Sequence, residues 1–386
     1  MGKLWSCMPS EYDVIVVGVG GIGSATTYHL ARQGVDVLGL DRFDIPHSKG
    51  SSHGYTRIFQ PSYFVGSSYT PLLNRAQELW ESLQEKSRTQ LLHDTGTLNV
   101  GPEGSAVVEQ VIQSCQEYDL EHELLTSSDI TDRYPAYQIP TDYEAVFQSD
   151  GGILEPESCI IAHVEQAHQH GAEIRARERV LDWNSNSDNV CVKTNRGEYR
   201  AENLVITAGA WAAQFVSGLD DIITPERHVV GRFHPRTPAH FEPDTFPPFI
   251  MSGEDDTYYG IPSIDAPGFK FGRYQHMNRD IDPDDMQREP TLGDEERLRS
   301  PIERYFPSGD GPTMALDTCL ITNSPDDNFI IDTLPDDSNI VVGAGFAGHG
   351  FMVGSAIGEI LADLTVTGAT EQDISQFRLD RFSAPS

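Results

Sequence analysis

The chain has 386 residues, 38% of them hydrophobic, with 34 glycines and 24 prolines, enough for two domains with sizeable cores and unlike a disordered chain. Its 59 acidic and 27 basic residues leave a formal net charge of −32, which repels nucleic acid and anionic membranes and excludes both as expected partners. No apolar run reaches the ~18 residues of a membrane span, and the opening MGKLWSCMPS has no apolar stretch of signal-peptide type.

Residues 13–41, DVIVVGVGGIGSATTYHLARQGVDVLGLD, predict strand, glycine turn, helix and second strand. The apolar run over 14–17 stops at Gly18, helical spacing runs from Ile22 to Ala31, and Gly34 caps the helix. A loop rich in Ser, Gly and His follows from Phe43 to Tyr55. An amphipathic helix over 69–84, a strand over 97–100 and a helix over 104–118 come next. A helix over 156–170 opens on Pro156 and Glu157 and ends at Gly171. VCVKT, the turn NRG and EYRA form a hairpin near 190–201 that leads into LVITAGAW at 204–211. Between 221 and 318 the pattern changes to short strands among prolines, including TYYGIPS and FKFGRYQ. The last part returns to α/β alternation, with FIID at 329–332 and then strand, glycine turn and helix over 339–364. Two insertions thus interrupt the α/β segments, and two interleaved domains are expected. Residues 12–90, 152–217 and 320–386 form the dinucleotide-binding domain, and 91–151 with 218–319 the substrate domain.

The acidic residues are spread along the whole chain, as in a halophilic cytoplasmic protein whose self-repulsion salt screens. Five cysteines, Cys7, Cys115, Cys159, Cys191 and Cys319, show neither CxxC nor zinc-ligand spacing, so reduced cytosolic thiols and no metal site are expected. Met8 is an alternative start, since the first strand begins only at Asp13.

Gly18, Gly20 and Gly23 make GxGxxG directly after a strand and at the opening of a helix, with Asp41 at the end of the next strand. The glycines permit the tight turn, the approach of backbone to a pyrophosphate, and close packing of helix on strand. The helix N–H groups face phosphates, and Asp41 accepts from ribose hydroxyls. The motif alone does not choose between NAD and FAD. The second strand–GAGFAGHG–helix unit favours FAD, because a reduced isoalloxazine gathers negative charge that another helix N-terminus stabilises. Lysine is nearly avoided: there are five, Lys3, Lys49, Lys86, Lys193 and Lys270. Four sit in polar, turn-like surroundings, but Lys270 lies between two phenylalanines on an apolar strand. Burying an ammonium costs several kcal/mol, so an apolar strand would not carry one idly.

In chain order, DVIVVGVGGIGSA, PHSKGSSHGYTRI, TAGAW, YYGIPS with GFKFG, CLITNSPDDNFIID and GFAGHGF resemble the monomeric sarcosine oxidase and N-methyltryptophan oxidase family of flavoenzymes, from Asp13 to about Phe382. The resemblance implies FAD, a glutathione-reductase-type FAD-binding Rossmann domain, and an α+β substrate domain built on a mixed β-sheet. It implies a monomer that oxidises the C–N bond of a small secondary amine to an imine while O2 becomes hydrogen peroxide. Carried over residue by residue, it places Cys319 in a thioether to the flavin. It places Lys270 over the ring, where a fixed cation favours reaction with oxygen. His53, Thr56 and Arg57 match positions beside the flavin and its phosphates, and the same loop brings His47, Ser51 and Ser52 to the cofactor. Ile22, Arg42, Val180, Ala208, Gly209 and Trp211 are expected along its adenine and flavin sides. In the last glycine turn Phe346, Gly348, His349, Gly350, Phe351 and Met352 are expected beside it, with His349 at the start of the last helix. Tyr259 matches a substrate-facing tyrosine, so Lys270, Arg57, Tyr259 and His349 form the expected catalytic set.

The chain departs from that family at the substrate pocket. Two cations that hold the carboxylate in sarcosine oxidases are replaced by Gln60 and Met352, and a histidine by Tyr274. A charge-assisted bond to a carboxylate is worth about 1.5–3 kcal/mol, so sarcosine is not the expected substrate. A pocket of Gln60, Tyr259, Tyr274 and Met352 suits a larger or less acidic amine, with His349 or Arg273 as candidate replacement anchors. No general base stands near the amine, whose proton is expected to leave under the influence of Lys270 and Arg57. A related flavin dehydrogenase that passes electrons to a quinone or carrier, and a non-catalytic flavin-fold binding protein, are the alternative readings.

Overall fold

The apolar run after Glu11 forms β1 (Tyr12–Val17), and Gly18 turns the chain into α1 (Gly21–Arg32). Gly34, with φ of 85°, ends the helix and returns the chain to β2 (Val37–Leu40), parallel to β1. The structure is a computed structural model that describes residues 11–186, 188–264, 268–274 and 280–382. Lys3, Cys7, Met8 and the Gln275 end of FKFGRYQ lie outside the described residues.

β3 (Arg57–Phe59), α2 (Thr70–Ser87), β4 (Leu92–Asp94), β5 (Thr97–Pro102) and α3 (Ala106–Tyr118) follow. Then come β6 (Glu123–Thr126), α4 (Ser127–Arg133), β7 (Tyr143–Gln148) and β8 (Gly152–Leu154). α5 (Pro156–Gln169) starts on proline, where the missing N–H costs nothing, and Gly171 (φ 97°) follows its end. β9 (Glu173–Arg175), β10 (Val180–Ser185), β11 (Val190–Thr194) and β12 (Glu198–Ile206) complete the middle of the chain. β13 (Thr224–Phe233), β14 (Phe249–Ser252), β15 (Thr257–Ile261) and β16 (Phe269–Arg273) lead to α6 (Leu292–Tyr305). β17 (Thr313–Asn323), β18 (Ile330–Leu334), β19 (Asp337–Ala344) and α7 (Gly354–Thr367) end the fold.

Three sheets result. The first runs β10-β11-β12-β1-β2-β9, with β19 continuing the edge of β12 beyond β11 and β18 beside β19. Alternation along β1 sends Val14 and Val16 to the core under α1, α2, α5 and α7, and Ile15 and Val17 to the opposite core. The second sheet, β17-β13-β16-β15-β14-β5-β7-β6, is antiparallel except at β14–β5 and is therefore mixed. Its core is aromatic: Phe233, Phe249, Phe269 and Phe271 pack with Phe306 beyond α6. A small third sheet is β3-β8-β4. This is the expected fold class, a dinucleotide-type α/β sheet accompanied by a mixed sheet.

Three expectations need correction. The 221–318 segment is not only short strands: β13 has 10 residues and pairs with the 11-residue β17, and α6 adds 14 helical residues. Thr291 and Asp294 cap α6 reciprocally, which carries the helix in spite of Pro301 within it. Of the lysines described, Lys86 lies in the last turn of α2 and Lys193 on β11 rather than in turns, both exposed. α7 begins at Gly354, so His349 precedes the helix by a further turn and does not stand at its start.

Candidate active site

The glycine motif divides its work. A Cβ at Gly18 (φ 93°) would lie 2.6 Å from the Thr207 carbonyl oxygen, and one at Gly23 only 1.7 Å from that of Gly18. These two glycines let α1 sit close on the strand turn, whereas a Cβ at Gly20 would meet nothing within 4 Å. Asp41, just past β2, accepts from the Val19 N–H at 2.9 Å and the Phe43 N–H at 2.8 Å. Burial raises its pKa, and the Phe43 amide, His47 and the Val19 amide oppose that rise. Buried Glu178 stands nearby and accepts from Thr194 Oγ1 at 2.7 Å and the Tyr199 hydroxyl at 2.6 Å. Arg42 pairs with Asp284 at 2.9 Å and lies 5.0 Å from the Trp211 ring centre.

Strand alternation explains the lysine on the apolar strand. Phe269 and Phe271 point into the aromatic core, so Lys270 between them points to the other face of the sheet. There, 4% exposed, it donates to the carbonyls of Thr56 at 2.8 Å and Gly54 at 3.3 Å. Burial holds its pKa well below the usual lysine range; Arg57 pushes the same way, while Cys319 and Glu157 oppose. Arg57 donates to the carbonyls of Thr56 at 2.7 Å and Ser51 at 2.6 Å. The loop that supplies these carbonyls turns at Tyr55, whose φ is 70°, with Thr56 N–H donating to Gly54 C=O at 2.9 Å. That is a γ-turn with a non-glycine residue in the left-handed region, a conformation costing of order 1–3 kcal/mol.

β17 sets Cys319 opposite His228 of β13. Burial raises the Cys319 thiol, and Arg57 and Lys270 pull it down towards the thiolate. His228 Nε2 and the Tyr259 hydroxyl are 2.9 Å apart with their rings stacked, and burial raises the phenol pKa. On the far side, the turn between β19 and α7 folds back on itself through Gly345 (φ 63°) and Gly348 (φ 77°). His349 Nδ1 faces the Ala347 carbonyl at 2.8 Å, so Nδ1 carries the proton, and burial lowers its pKa to about 4. Burial likewise lowers His53 to about 3, and Tyr274 is raised to about 12. Met352 is buried against Trp80, whose indole N–H donates to its carbonyl at 2.8 Å.

Most of the expected site residues line one cavity. Gly18, Gly20, Ile22, Asp41, Arg42, His47, Ser51, Ser52, His53, Thr56 and Arg57 line it, with Val180, Ala208, Gly209 and Trp211. So do Lys270, Tyr259, Tyr274, Gln60 and Cys319, and the whole of Phe346, Gly348, His349, Gly350, Phe351 and Met352. Gly23 does not reach it and serves packing alone. Arg273 does not reach it either, being paired with Asp256 at 2.6 Å, so it is no substitute anchor. Glu178, Arg179, His228, Tyr63 and Thr322 also line the cavity and were not anticipated. His228 is marked only by its place opposite Cys319, which appears once the strands pair.

The wall suits a large polar ligand. His53 Nε2, Gln60 Oε1, His349 Nε2 and Thr322 Oγ1 are buried with no hydrogen-bond partner, and buried polar atoms of this kind need one. Backbone at Gly20 is open beside the first turn of α1, as an anionic pyrophosphate requires. These features fit FAD. Among the described residues no group of His, Cys, Asp or Glu gathers as for a metal ion, and no helix is long and apolar enough to cross a membrane.

The family described as FAD dependent oxidoreductase matches residues 13–364. Monomeric sarcosine oxidase of Bacillus sp. (strain NS-129) is 41% identical over 379 residues, covering 97% of this chain and 98% of that protein. N-methyl-L-tryptophan oxidase of Yersinia pestis (strain Pestoides F) is 34% identical over 375 residues, covering 96% and 100%. Among solved structures, the open form of NikD, described as an unusual amino acid oxidase essential for nikkomycin biosynthesis, matches with a TM-score of 0.82. Its identity is 26%, over 96% of this chain and 98% of that one.

Proposed function

The chain belongs to the FAD dependent oxidoreductase family, and from that premise we propose that it oxidises the C–N bond of a small secondary amine to an imine. The observation that carries this reading is the convergence of Lys270, Cys319 and Tyr259 from the second sheet with Gly20, Asp41 and the 51–57 loop on one cavity. Gly18, Gly20 and the first turn of α1 would hold the pyrophosphate, and Asp41 the ribose. Arg42, Val180, Ala208, Gly209 and Trp211 would line the nucleotide, and the 51–57 loop with the 346–352 turn the ring. The domain division follows the same logic: 12–90, 152–217 and 320–386 bind FAD, and 91–151 with 218–319 form the substrate wall.

FAD, when bound, takes two electrons from the amine and passes them to O2, giving hydrogen peroxide. Lys270 and Arg57 supply positive charge where negative charge develops, in a site with little water, and there a cation is worth far more than in bulk solvent. They also disfavour a protonated amine, so the substrate binds neutral without a dedicated base. Cys319 would be the attachment point, a buried thiol that Arg57 and Lys270 draw towards the thiolate and that would hold the ring through a thioether. The tether retains the cofactor. Gln60 and Met352, both buried, give the substrate end a neutral hydrogen-bonding group and an apolar wall, favouring a larger or less acidic secondary amine over sarcosine. The −32 charge suits a monomer in a salt-rich cytoplasm.

Anaerobic mixing of the yellow protein with N-methyl amino acids, cyclic imino acids and simple secondary amines tests this. At least one should bleach the flavin absorbance, and air should restore it with one hydrogen peroxide per turnover. No bleaching by any of them refutes the amine reading; bleaching without peroxide on reoxidation refutes the use of O2.

A further inference from the structure

We propose that Glu157 is a positioning residue for the oxygen reaction: its carboxylate clamps the Gly54–Tyr55–Thr56 turn whose carbonyls hold the Lys270 amine. The inference rests on the oxidase reading above and goes beyond it. Glu157 lies in the first turn of α5, where a negative charge is favoured, and it does not line the cavity. It accepts from the Gly54 N–H at 2.7 Å and from the Tyr55 N–H at 3.1 Å. Those amides belong to the γ-turn, and the carbonyls at its two ends, Gly54 and Thr56, are the acceptors of Lys270 Nζ. One carboxylate thus holds the N–H side of the turn, and Lys270 with Arg57 the C=O side.

Besides Lys270, Arg57 holds the C=O side of the turn, donating to the Thr56 carbonyl at 2.7 Å, but on the N–H side Glu157 supplies the side-chain hydrogen bonds. Tyr55 is 55% exposed, with the Arg232 guanidinium 4.9 Å from its ring centre, itself paired with Asp317 at 2.7 Å. A strained backbone conformation persists only where its surroundings hold it. Without Glu157 the turn relaxes, and the carbonyl pair no longer fixes Nζ over the cavity. The charge acts in the same sense, since Glu157 is among the groups that raise the proton affinity of Lys270. Loss of that charge lets Lys270 deprotonate at lower pH.

The test uses photoreduced holoenzyme mixed with oxygenated buffer, so that no amine is needed. Losing a charge-assisted clamp should slow reoxidation of Glu157→Ala about tenfold or more. In Glu157→Gln, which keeps the shape, the decline of that rate with rising pH should begin at lower pH than in wild type. Backbone amides of residues 51–58 should exchange with deuterium faster in Glu157→Ala, and bleaching by amine should slow far less than reoxidation does. Should the alanine variant not fold, the glutamine variant carries the test through its pH profile. Wild-type reoxidation and pH profile in both variants, with Lys270→Met slow, overturns this inference and leaves the oxidase reading standing. A wild-type rate in Lys270→Met as well removes the reading beneath it and the inference with it. Equal loss of amine bleaching and reoxidation in both Glu157 variants assigns the residue to folding alone and also overturns it.

Discussion

Replacing Lys270 by Met separates the chemical from the structural part of a buried amine. Nζ donates to the Thr56 and Gly54 carbonyls, but neither is stranded by its loss. Thr56 C=O still accepts from Arg57 Nη1 at 2.7 Å, and Gly54 C=O from the Thr56 N–H at 2.9 Å. Methionine has a similar length and no desolvation cost, so stability should change by no more than about 1 kcal/mol, with a gain as the natural direction. The reaction with oxygen should behave otherwise. A unit charge ~4 Å from a developing anion, at an effective dielectric of ~20, contributes ~4 kcal/mol, or ~10³-fold in rate. Burial and Arg57 depress the lysine pKa, so the wild-type rate should fall as pH rises through it, whereas Lys270→Met should be slow and flat. Stopped-flow reoxidation of photoreduced protein gives the rate, and thermal unfolding gives the stability. Slowing of less than about tenfold, or the same pH profile in the variant, would refute a charge-based role for Lys270.

The glycine motif predicts an asymmetry: Gly23→Ala, whose Cβ would strike the Gly18 carbonyl, should fail to fold or lose its flavin. Gly20→Ala has open space around its Cβ, so its apoprotein should melt as wild type while binding less FAD, and equal damage in both would contradict this division. Acid precipitation should leave a yellow pellet from wild type and a colourless one from Cys319→Ser; flavin that stays with the serine variant disproves the thioether. His29 is fully buried, and burial lowers its pKa to about 3, opposed only weakly by the Ser355 backbone. The unfolded state therefore binds a proton that the native state refuses, and stability should fall as pH drops from ~6.5 towards 3. His29→Phe should flatten that slope in melting temperature, and an unchanged slope would rule His29 out as a contributor. Raising salt from ~0.1 to ~1 M shortens the screening length from ~10 to ~3 Å, so the melting temperature should rise; a fall would sink the halophilic reading.

Much of the molecule was legible because its signals are local. The 14–17 run, GxGxxG and the run before Asp41 state a strand, a turn with its helix and a second strand within 30 residues, and sterics around glycine and strand periodicity make that a nearly closed argument. The start of α5 at Pro156 and the turn after it at Gly171 were legible for the same reason. α6 was hidden by Pro301 and by its low hydrophobicity, although its capping box at Thr291 and Asp294 stood in plain view. The span of β13 and β17 was not available either, since ladder pairing is a property of two strands.

Sequence alone, then, decided the dinucleotide turn, the fold class, and the oddity of one lysine between phenylalanines. Only the tertiary structure decided what that lysine touches: carbonyls 214 and 216 residues earlier, on a turn held by a carboxylate 103 residues beyond it. It alone set His228 against Tyr259, left Arg273 paired outside the cavity, and pushed the lysine, histidine and cysteine pKa values off their ordinary range. Periodicity and glycine sterics act between neighbours in the chain, whereas burial and charge coupling arise only when distant segments close around a shared space.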